Sequence, residues 1–493
     1  MLGNEDLYTA AQIRALEHCV IHEHGVAGIT LMSRAADAAL GYLLEVWPKA
    51  EHLQVMCGTG NNGGDGFLIA DLAHKRGIDV TVLQLGDVQK IGGDAALALR
   101  QAQANGVNIV PFKPDSIMPN GVIVDAMLGI GLEGAVRGVY IEAIASINAS
   151  GAPVLAVDIP SGICADTGAV LGAAVVADLT VTFIGLKRGL FTLQAPDYIG
   201  AVQLCDLAVH PEVYAAVPAD CARLALEPLL QCLPLRSASA HKGLFGNVLV
   251  VGGDYGLAGA AAMAAESALR CGAGLVQVAT RPEHVSAVLA RTPEVMTTGV
   301  VASDEFAPML EAADVVVVGP GLGSSPWSAE LLRRSLACGK PLVLDADALN
   351  LLASGALGNT DAAAEWVLTP HPGEAARLLG CDTAQVQSDR FAAVIALQQR
   401  YGGIVILKGN GSLITAGGKV FLSDYGNPGM ASGGMGDVLS GVIGALLAQH
   451  LTSLEAAALA TCVHGAAADI AAQEGQRGLI ATDLIPKMRS ILG

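Results

Sequence analysis

The sequence predicts an α/β protein of two domains, each a parallel sheet with helices on both faces. Three observations carry that prediction. A chain of 493 residues exceeds what one hydrophobic core ordinarily serves. Short apolar runs alternate with segments of helical period along both halves. Between the halves, residues 209–242 hold Pro211, Pro218, Pro228 and Pro234 without sustained alternation. The boundary therefore falls near 215–235, and the expected domains are residues 1–220 and 221–493.

From Tyr8 to about Trp47 the apolar positions, among them Ile13, Leu16 and Val20, recur with helical period behind an N-cap at Thr9. Alternation follows. Strands are expected at His52–Cys57, Asp79–Leu85, Val107–Val110, Gly121–Asp125, Pro153–Val157, Ala177–Phe183 and Ala201–Asp206. Helices are expected at Phe67–Arg76, Ala95–Ala104 and near Ile141–Ala149. The second half restarts with a strand at Asn247–Val251, a helix at Ala258–Cys271 and a strand at Leu275–Thr280. Val315–Val318, Leu342–Leu344 and Ile404–Leu407 read as short buried strands, and Leu413–Thr415 with Val420–Leu422 as an antiparallel pair across Gly417-Gly418. Two helices, about 434–448 and 454–473, are expected to end the chain. No repeat at fixed period links the halves, so they are two different domains.

Composition excludes several classes. Hydrophobic residues at 52% and charged residues at 15% describe an ordered globular chain. A formal net charge of −18 is the opposite of a nucleic-acid-binding footprint, although backbone N–H groups still suit an anionic nucleotide. The closest of the ten cysteines, Cys221 and Cys232, lie eleven residues apart, which leaves no zinc or redox spacing and points to reduced thiols. The acidic N-terminus lacks an apolar signal core, and no run reaches the roughly 18 apolar residues of a membrane span. A cytoplasmic protein without a membrane partner is expected.

Ligands of open parallel sheets bind beyond the carboxyl ends of strands. Three such ends in the first half carry chemistry. Gly58-Thr59-Gly60-Asn61-Asn62-Gly63-Gly64-Asp65-Gly66 packs five glycines into nine residues between a strand and a helix, which lets backbone N–H groups approach a phosphate. Val124-Asp125-Ala126-Met127-Leu128-Gly129-Ile130-Gly131 and Val157-Asp158-Ile159-Pro160-Ser161-Gly162 are the others. Asn62, Asp125 and Ser161 offer amide, carboxylate and hydroxyl oxygens, a donor set for a hard cation of low charge. Each end alone also reads as an ordinary turn or cap; the three on one sheet edge read as a site.

Together these motifs resemble the NAD(P)H-hydrate epimerase family across about residues 8–215. The resemblance implies a Rossmann-like domain that binds the hydrated nicotinamide cofactor and potassium. It makes Asn62, Asp125 and Ser161 the potassium ligands. It puts substrate against Asn61, Asn62, Gly63, Gly64 and Asp65, against Gly129, Ile130, Gly131, Leu132, Glu133, Gly134 and Ala135, and against Asp158. Asp158 is the candidate catalytic group for epimerisation at C6 of the reduced ring, by moving a proton or by stabilising a cationic ring.

The second half carries Gly252-Gly253-Asp254, Gly319-Pro320-Gly321-Leu322-Gly323 and Asp345-Ala346-Asp347-Ala348-Leu349-Asn350, each following a strand. Thr369-Pro370-His371-Pro372-Gly373-Glu374 and Lys408-Gly409-Asn410-Gly411-Ser412 come next. Last, Gly434-Met435-Gly436-Asp437 opens an apolar helix. Helix-terminal N–H groups there suit a phosphoryl anion, while Asp437 takes a hydroxyl proton or serves only as an N-cap. His371 either meets substrate or holds its own turn, and Asp345 either positions a metal or water or caps the following helix.

These motifs together resemble the ADP/ATP-dependent NAD(P)H-hydrate dehydratases, of ribokinase-like fold, over about residues 235–490. The resemblance implies removal of water from hydrated NADH or NADPH at the expense of ADP, giving AMP and phosphate, with Mg²⁺. Asp437 would be the base. Lys408, Gly409, Asn410, Gly411, Ser412 and Gly436 would hold ADP, and Ala260, Gly321, His371 and Asp437 the hydrate. The expected partners are these small molecules and, as a homo-oligomer, further copies of the chain. A kinase acting on a stable alcohol, with a non-catalytic nucleotide-binding first domain, is the alternative.

Overall fold

The computed structural model describes residues 4–118, 120–355 and 365–493. It divides into two compact units, Asp6–Cys221 and a second that runs over Ala222–Gly493 and includes Asn4 and Glu5.

The first unit is built on seven parallel strands in the order Asn108–Pro111, Asp79–Gln84, His52–Cys57, Val122–Ala126, Val154–Val157, Leu179–Phe183 and Ala201–Cys205. Side chains alternate between two cores. Val122, Val124 and Ala126 join the layer containing Leu40 and Phe67, while Ile123 joins Ile144 and Ile147 on the opposite face. Burial on both faces is why these strands read as continuous apolar runs. The strand order reverses beside His52–Cys57. The loops after that strand and after Val122–Ala126 therefore diverge and leave a crevice.

The N-terminal helical stretch is two helices, Ala10–His22 and Gly28–Val46, separated by Gly25 at φ +69°. Thr9 caps the first through a capping box with Gln12. A strand precedes them: Asn4–Tyr8 pairs with Leu186–Lys187, elements too short to carry a period.

In the second unit, seven parallel strands run Met296–Gly299, Leu275–Thr280, Asn247–Val251, Val315–Val318, Leu342–Leu344, Trp366–Leu368 and Ile404–Leu407. Ser412–Ala416 and Lys419–Ser423 extend the sheet antiparallel, joined by Gly417 and Gly418 at φ +58° and +87°. The order reverses beside Asn247–Val251, so this sheet also has a crevice, between the loops after that strand and after Val315–Val318.

Three helices, not two, close the chain: Met435–Ala448, Ser453–Ala472 and Ala481–Leu492. Pro486 inside the last obscured its period. Ser453–Ala472 is long and apolar enough, by length and composition, to cross a membrane, yet most of it is buried in this unit's core. Apolar residues all around a helix are what a fully packed core helix requires. Gly441 lets the helix Ala258–Arg270 approach closely, since a Cβ there would lie 2.0 Å from the Ala264 carbonyl oxygen. None of the ten cysteines is in a disulfide.

Candidate active sites

In the first unit the crevice is a cavity of about 520 Å³. Gly58 makes the narrow approach of its two loops possible, because a Cβ there would stand 1.9 Å from the Met127 carbonyl oxygen. Asn61, Asn62, Asp65, Asp158 and the run Gly129 to Glu133 line the cavity. Gly63 and Gly64 do not: both are buried, and a Cβ on Gly63 would meet the Gly58 carbonyl oxygen at 2.1 Å. Their part is the turn itself. Gly134 and Ala135 are exposed and also lie outside the lining.

Two of the three cation candidates, Asp125 and Ser161, hydrogen-bond to each other, and Asn62 lies against the same loop, its Cβ 3.3 Å from where a Cβ on Gly129 would stand. Asp125 is fully buried and accepts from Ser161 Oγ at 2.6 Å, from the Ser161 N–H at 2.8 Å and from the Met127 N–H at 3.2 Å. Burial nevertheless pushes its carboxyl up to about 6. Both polar atoms of the Asn62 side chain are buried without a hydrogen-bond partner. A buried amide left unpaired costs about 1–3 kcal/mol, so this corner suits a cation that would take the Asn62 oxygen and favour the charged form of Asp125.

Asp158 stands at φ +68°, a left-handed conformation that is rare outside glycine. Its Oδ1 accepts from Lys187 Nζ, from Thr182 Oγ1 at 3.2 Å and from the Phe183 N–H at 3.2 Å. Lys187 is 0% exposed and also donates to the Phe183 carbonyl at 2.9 Å. Glu17 and Arg14 join the same cavity wall. Burial raises the Glu17 carboxyl and raises that of Asp65 well above the usual range, with Asp158 reinforcing both. Asp158, ion-paired with Lys187, thus shares the cavity with two carboxyls raised by burial.

Sequence reasoning missed Lys187, Glu17 and Arg14. Arg14 and Glu17 fall between the apolar positions of the first helix and look like a solvated face. A lysine within Ile184-Gly185-Leu186-Lys187 was the available signal, since an apolar setting makes a buried charge informative.

In the second unit the corresponding crevice is held narrow by Gly252, whose Cβ would lie 2.0 Å from the Pro320 carbonyl oxygen. Gly321 and Ala260 adjoin: a Cβ on Gly321 would be 3.0 Å from that of Ala260. Asp345 is 1% exposed and makes no helix cap. Its carboxylate instead accepts from Lys408 Nζ at 2.8 Å, Thr369 Oγ1 at 2.7 Å and Ser440 Oγ at 2.7 Å. These partners, Lys408 foremost, lower its carboxyl against the burial that would raise it. Glu374 Oε2 lies 4.0 Å from the same ammonium. A Cβ on Gly436 would be 3.0 Å from Lys408 Nζ, so glycine lets the first turn of the helix Met435–Ala448 lie close over the ion pair.

Asp437 is not the cap of its helix. Gly434 holds that place at φ +94°, and Asp437 follows in the first turn. Among the described residues its carboxyl has no hydrogen-bond partner, and burial with neighbouring Asp345 pushes it up to about 7. His371 does cap a helix. Its Nδ1 accepts from the Gly373 N–H at 3.0 Å, and its Nε2 lies 3.3 Å from Glu374 Oε1. The side chain is half-buried. The loop Lys408 to Ser412 joins the strand Ile404–Leu407 to the next one. No cluster of three His, Cys, Asp or Glu side chains suited to a metal occurs among the described residues.

Comparison with known proteins agrees with both units. Residues 248–489 match the family described as NAD(P)H-hydrate dehydratase, and residues 28–189 that described as YjeF-related protein N-terminus. The chain is 49% identical to the bifunctional NAD(P)H-hydrate repair enzyme Nnr of Coxiella burnetii, over 99% of each chain. It is 44% identical to the enzyme of the same name from Vibrio cholerae, over 98% of each. A ribokinase-like superfamily protein from Enterococcus faecalis superposes with a TM-score of 0.52 at 29% identity, covering 55% of this chain and 95% of its own. Similarity at this level along the full length, with both crevices built, makes this chain a member of the bifunctional NAD(P)H-hydrate repair enzyme family.

Proposed function

We propose that the chain repairs hydrated NADH and NADPH. Its first unit epimerises the R and S hydrates, and its second dehydrates the S hydrate with ADP, giving NAD(P)H, AMP and phosphate. The observation that carries this is Asp437, without a hydrogen-bond partner among the described residues and poised near neutrality in the first turn of a helix, beside the ion pair of Lys408 with buried Asp345.

Hydroxide is a poor leaving group, and phosphorylation of the C6 hydroxyl makes it a good one. Asp437 takes the hydroxyl proton as oxygen attacks the terminal phosphoryl of ADP, and AMP departs. Lys408 and the helix N–H groups stabilise the transferring charge. Phosphate then leaves C6, and loss of the C5 proton completes the ring double bond. A base near 7 suits this work. Lys408 to Ser412 and Gly436 hold the nucleotide; Ala260, Gly321 and His371 meet the hydrate. Mg²⁺ typically binds through one or two carboxylates plus substrate phosphates. Glu374, buried with its carboxyl raised, is suited to that ion, which would neutralise the diphosphate.

In the first unit the hydrogen bonds to Asp158 among the described residues all fall on Oδ1, leaving Oδ2 for the substrate. Asp158 stabilises a cationic ring. Asp65, its carboxyl raised by burial, gives a proton to the departing C6 hydroxyl, and the water that adds to the other face releases one in return. Asn62, Asp125 and Ser161 fit potassium, which would fix the glycine loop. This domain assignment follows the units, with the activities divided at about residue 221. The reading carries with it a cytoplasmic, homo-oligomeric enzyme, whose assembly light scattering would test.

The test supplies ADP with the S hydrate of NADH. Recovery of reduced-nicotinamide absorbance with equal AMP and phosphate supports the reading. A stable phosphorylated alcohol would make the second unit a kinase.

A further inference from the structure

Arg390 is the largest side chain in the fully buried interior, 2% exposed, and no carboxylate pairs with it among the described residues. It opens the helix Arg390–Tyr401, whose start is capped by Asp389 accepting from the Ala392 N–H at 2.9 Å. That cap turns the arginine inward, beneath the loop after Ile404–Leu407.

The guanidinium clasps both ends of that loop. Nη2 donates to the Leu407 carbonyl at 3.2 Å and to the Gly411 carbonyl at 3.0 Å. Between these points the chain runs across its face. A Cβ on Gly409, at φ +149°, would stand 2.2 Å from Nη1. The glycine is there because the guanidinium fills the place of a side chain. Nε is buried without a partner, and burial alone pulls the group down to about 10. An uncompensated buried cation is costly. Leucine or methionine would fill the volume without that cost, so its charge calls for another use.

We infer that Arg390 is the positioning residue of the nucleotide loop: it sets the backbone of residues 408–411 and supplies buried positive charge that the diphosphate of ADP balances. This rests on the reading of Lys408 to Ser412 as the nucleotide loop. Arg390 does not touch the reacting atoms; it acts through the loop and its field.

The full-length chain tests this through ADP binding by calorimetry, with the KM values of ADP and hydrate measured separately. Arg390→Met is expected to weaken ADP binding by about 10- to 100-fold, the range for hydrogen bonds to a charged group. Arg390→Lys, which keeps charge but loses the two-carbonyl clasp, is expected to recover part of that loss. The hydrate KM and epimerisation stay at wild-type values. Gly409→Ala should displace the guanidinium and produce the same ADP-specific loss. Added to Arg390→Met, it should cost less than the two singly, because the clash is gone. It also carries the test if Arg390→Met does not fold.

Wild-type ADP affinity in folded Arg390→Lys and Arg390→Met, or a fall in kcat alone, overturns the inference. So does full additivity with Gly409→Ala. Gly411→Val, strained at φ +65°, separates the two levels. If it loses ADP binding while the Arg390 variants keep it, only this inference falls. If the wild type binds no ADP, or Gly411→Val binds it normally, the loop reading falls and this inference with it.

Discussion

Lys408 Nζ sits 2.8 Å from Asp345 Oδ1, and the other oxygen of Asp345 accepts from Ser440, one turn along the helix that carries Asp437. The ion pair therefore fixes strand end, nucleotide loop and catalytic helix to one another. Lys408→Met leaves a buried carboxylate unpaired and should cost about 3–5 kcal/mol. Lys408→Met with Asp345→Asn should cost less than Lys408→Met alone. Chemical denaturation of the four-member cycle measures this; strict additivity would mean the pair is not coupled.

The Asp437 carboxyl is raised to about 7 by burial and by Asp345, Asp347 and Glu374, with Lys408 opposing them. As the base it must be ionised, so dehydration should fall as pH drops through about 7. Asp437→Asn should lower the rate by about 10²- to 10⁴-fold with ADP affinity nearly intact.

The same shift has a stability consequence. A carboxyl raised by folding binds its proton more tightly in the native state, so wild-type stability declines as pH rises from the unfolded value near 4 toward 7. Asp437→Asn should raise the melting temperature of the nucleotide-free chain above pH 7 and leave it unchanged near pH 4. Equal melting curves at both pH values would show the group is not desolvated.

Asn62 and Asp125 predict a potassium effect that needs no turnover assay. Potassium should raise the melting temperature of the wild type, and less so as pH falls below about 6, where Asp125 gains its proton. Asn62→Leu should abolish the response. An undiminished response would place the ion elsewhere.

Gly58→Ala would drive a methyl group to within 1.9 Å of the Met127 carbonyl oxygen. Opening the crevice should cost roughly 1–3 kcal/mol and remove epimerisation. ADP-dependent dehydration of the S hydrate, carried by the other unit, should persist.

Most strands were legible because burial on both faces makes each a short apolar run bounded by glycine, as in Val315–Val318 and His52–Cys57. Asn4–Tyr8 and Leu186–Lys187 were not, since the first opens on the polar Asn4-Glu5-Asp6 and the second is two residues long. At the sites, glycine loops announced the two crevices, and Asp437 and Asp158 could be singled out at their ends. What these carboxyls pair with could not be read. Lys187 and Asp158 are 29 residues apart, and Lys408 and Asp345 are 63. Nor could sequence separate a cap from an ion pair: Asp345 and His371 were open in the same way, and only Asp345 leaves its cap unused.

The presence of two repair activities in one chain is tested most directly by the R hydrate of NADH supplied with ADP, Mg²⁺ and potassium. Reduced-nicotinamide absorbance and the R-to-S ratio are followed together. The wild type should convert all of the hydrate with equal AMP release. Asp437→Asn should equilibrate R and S without restoring absorbance, and Asp158→Asn, which tolerates the left-handed conformation, should convert R only at its spontaneous rate. Undiminished R turnover in Asp158→Asn, or absorbance recovery in Asp437→Asn, would contradict it.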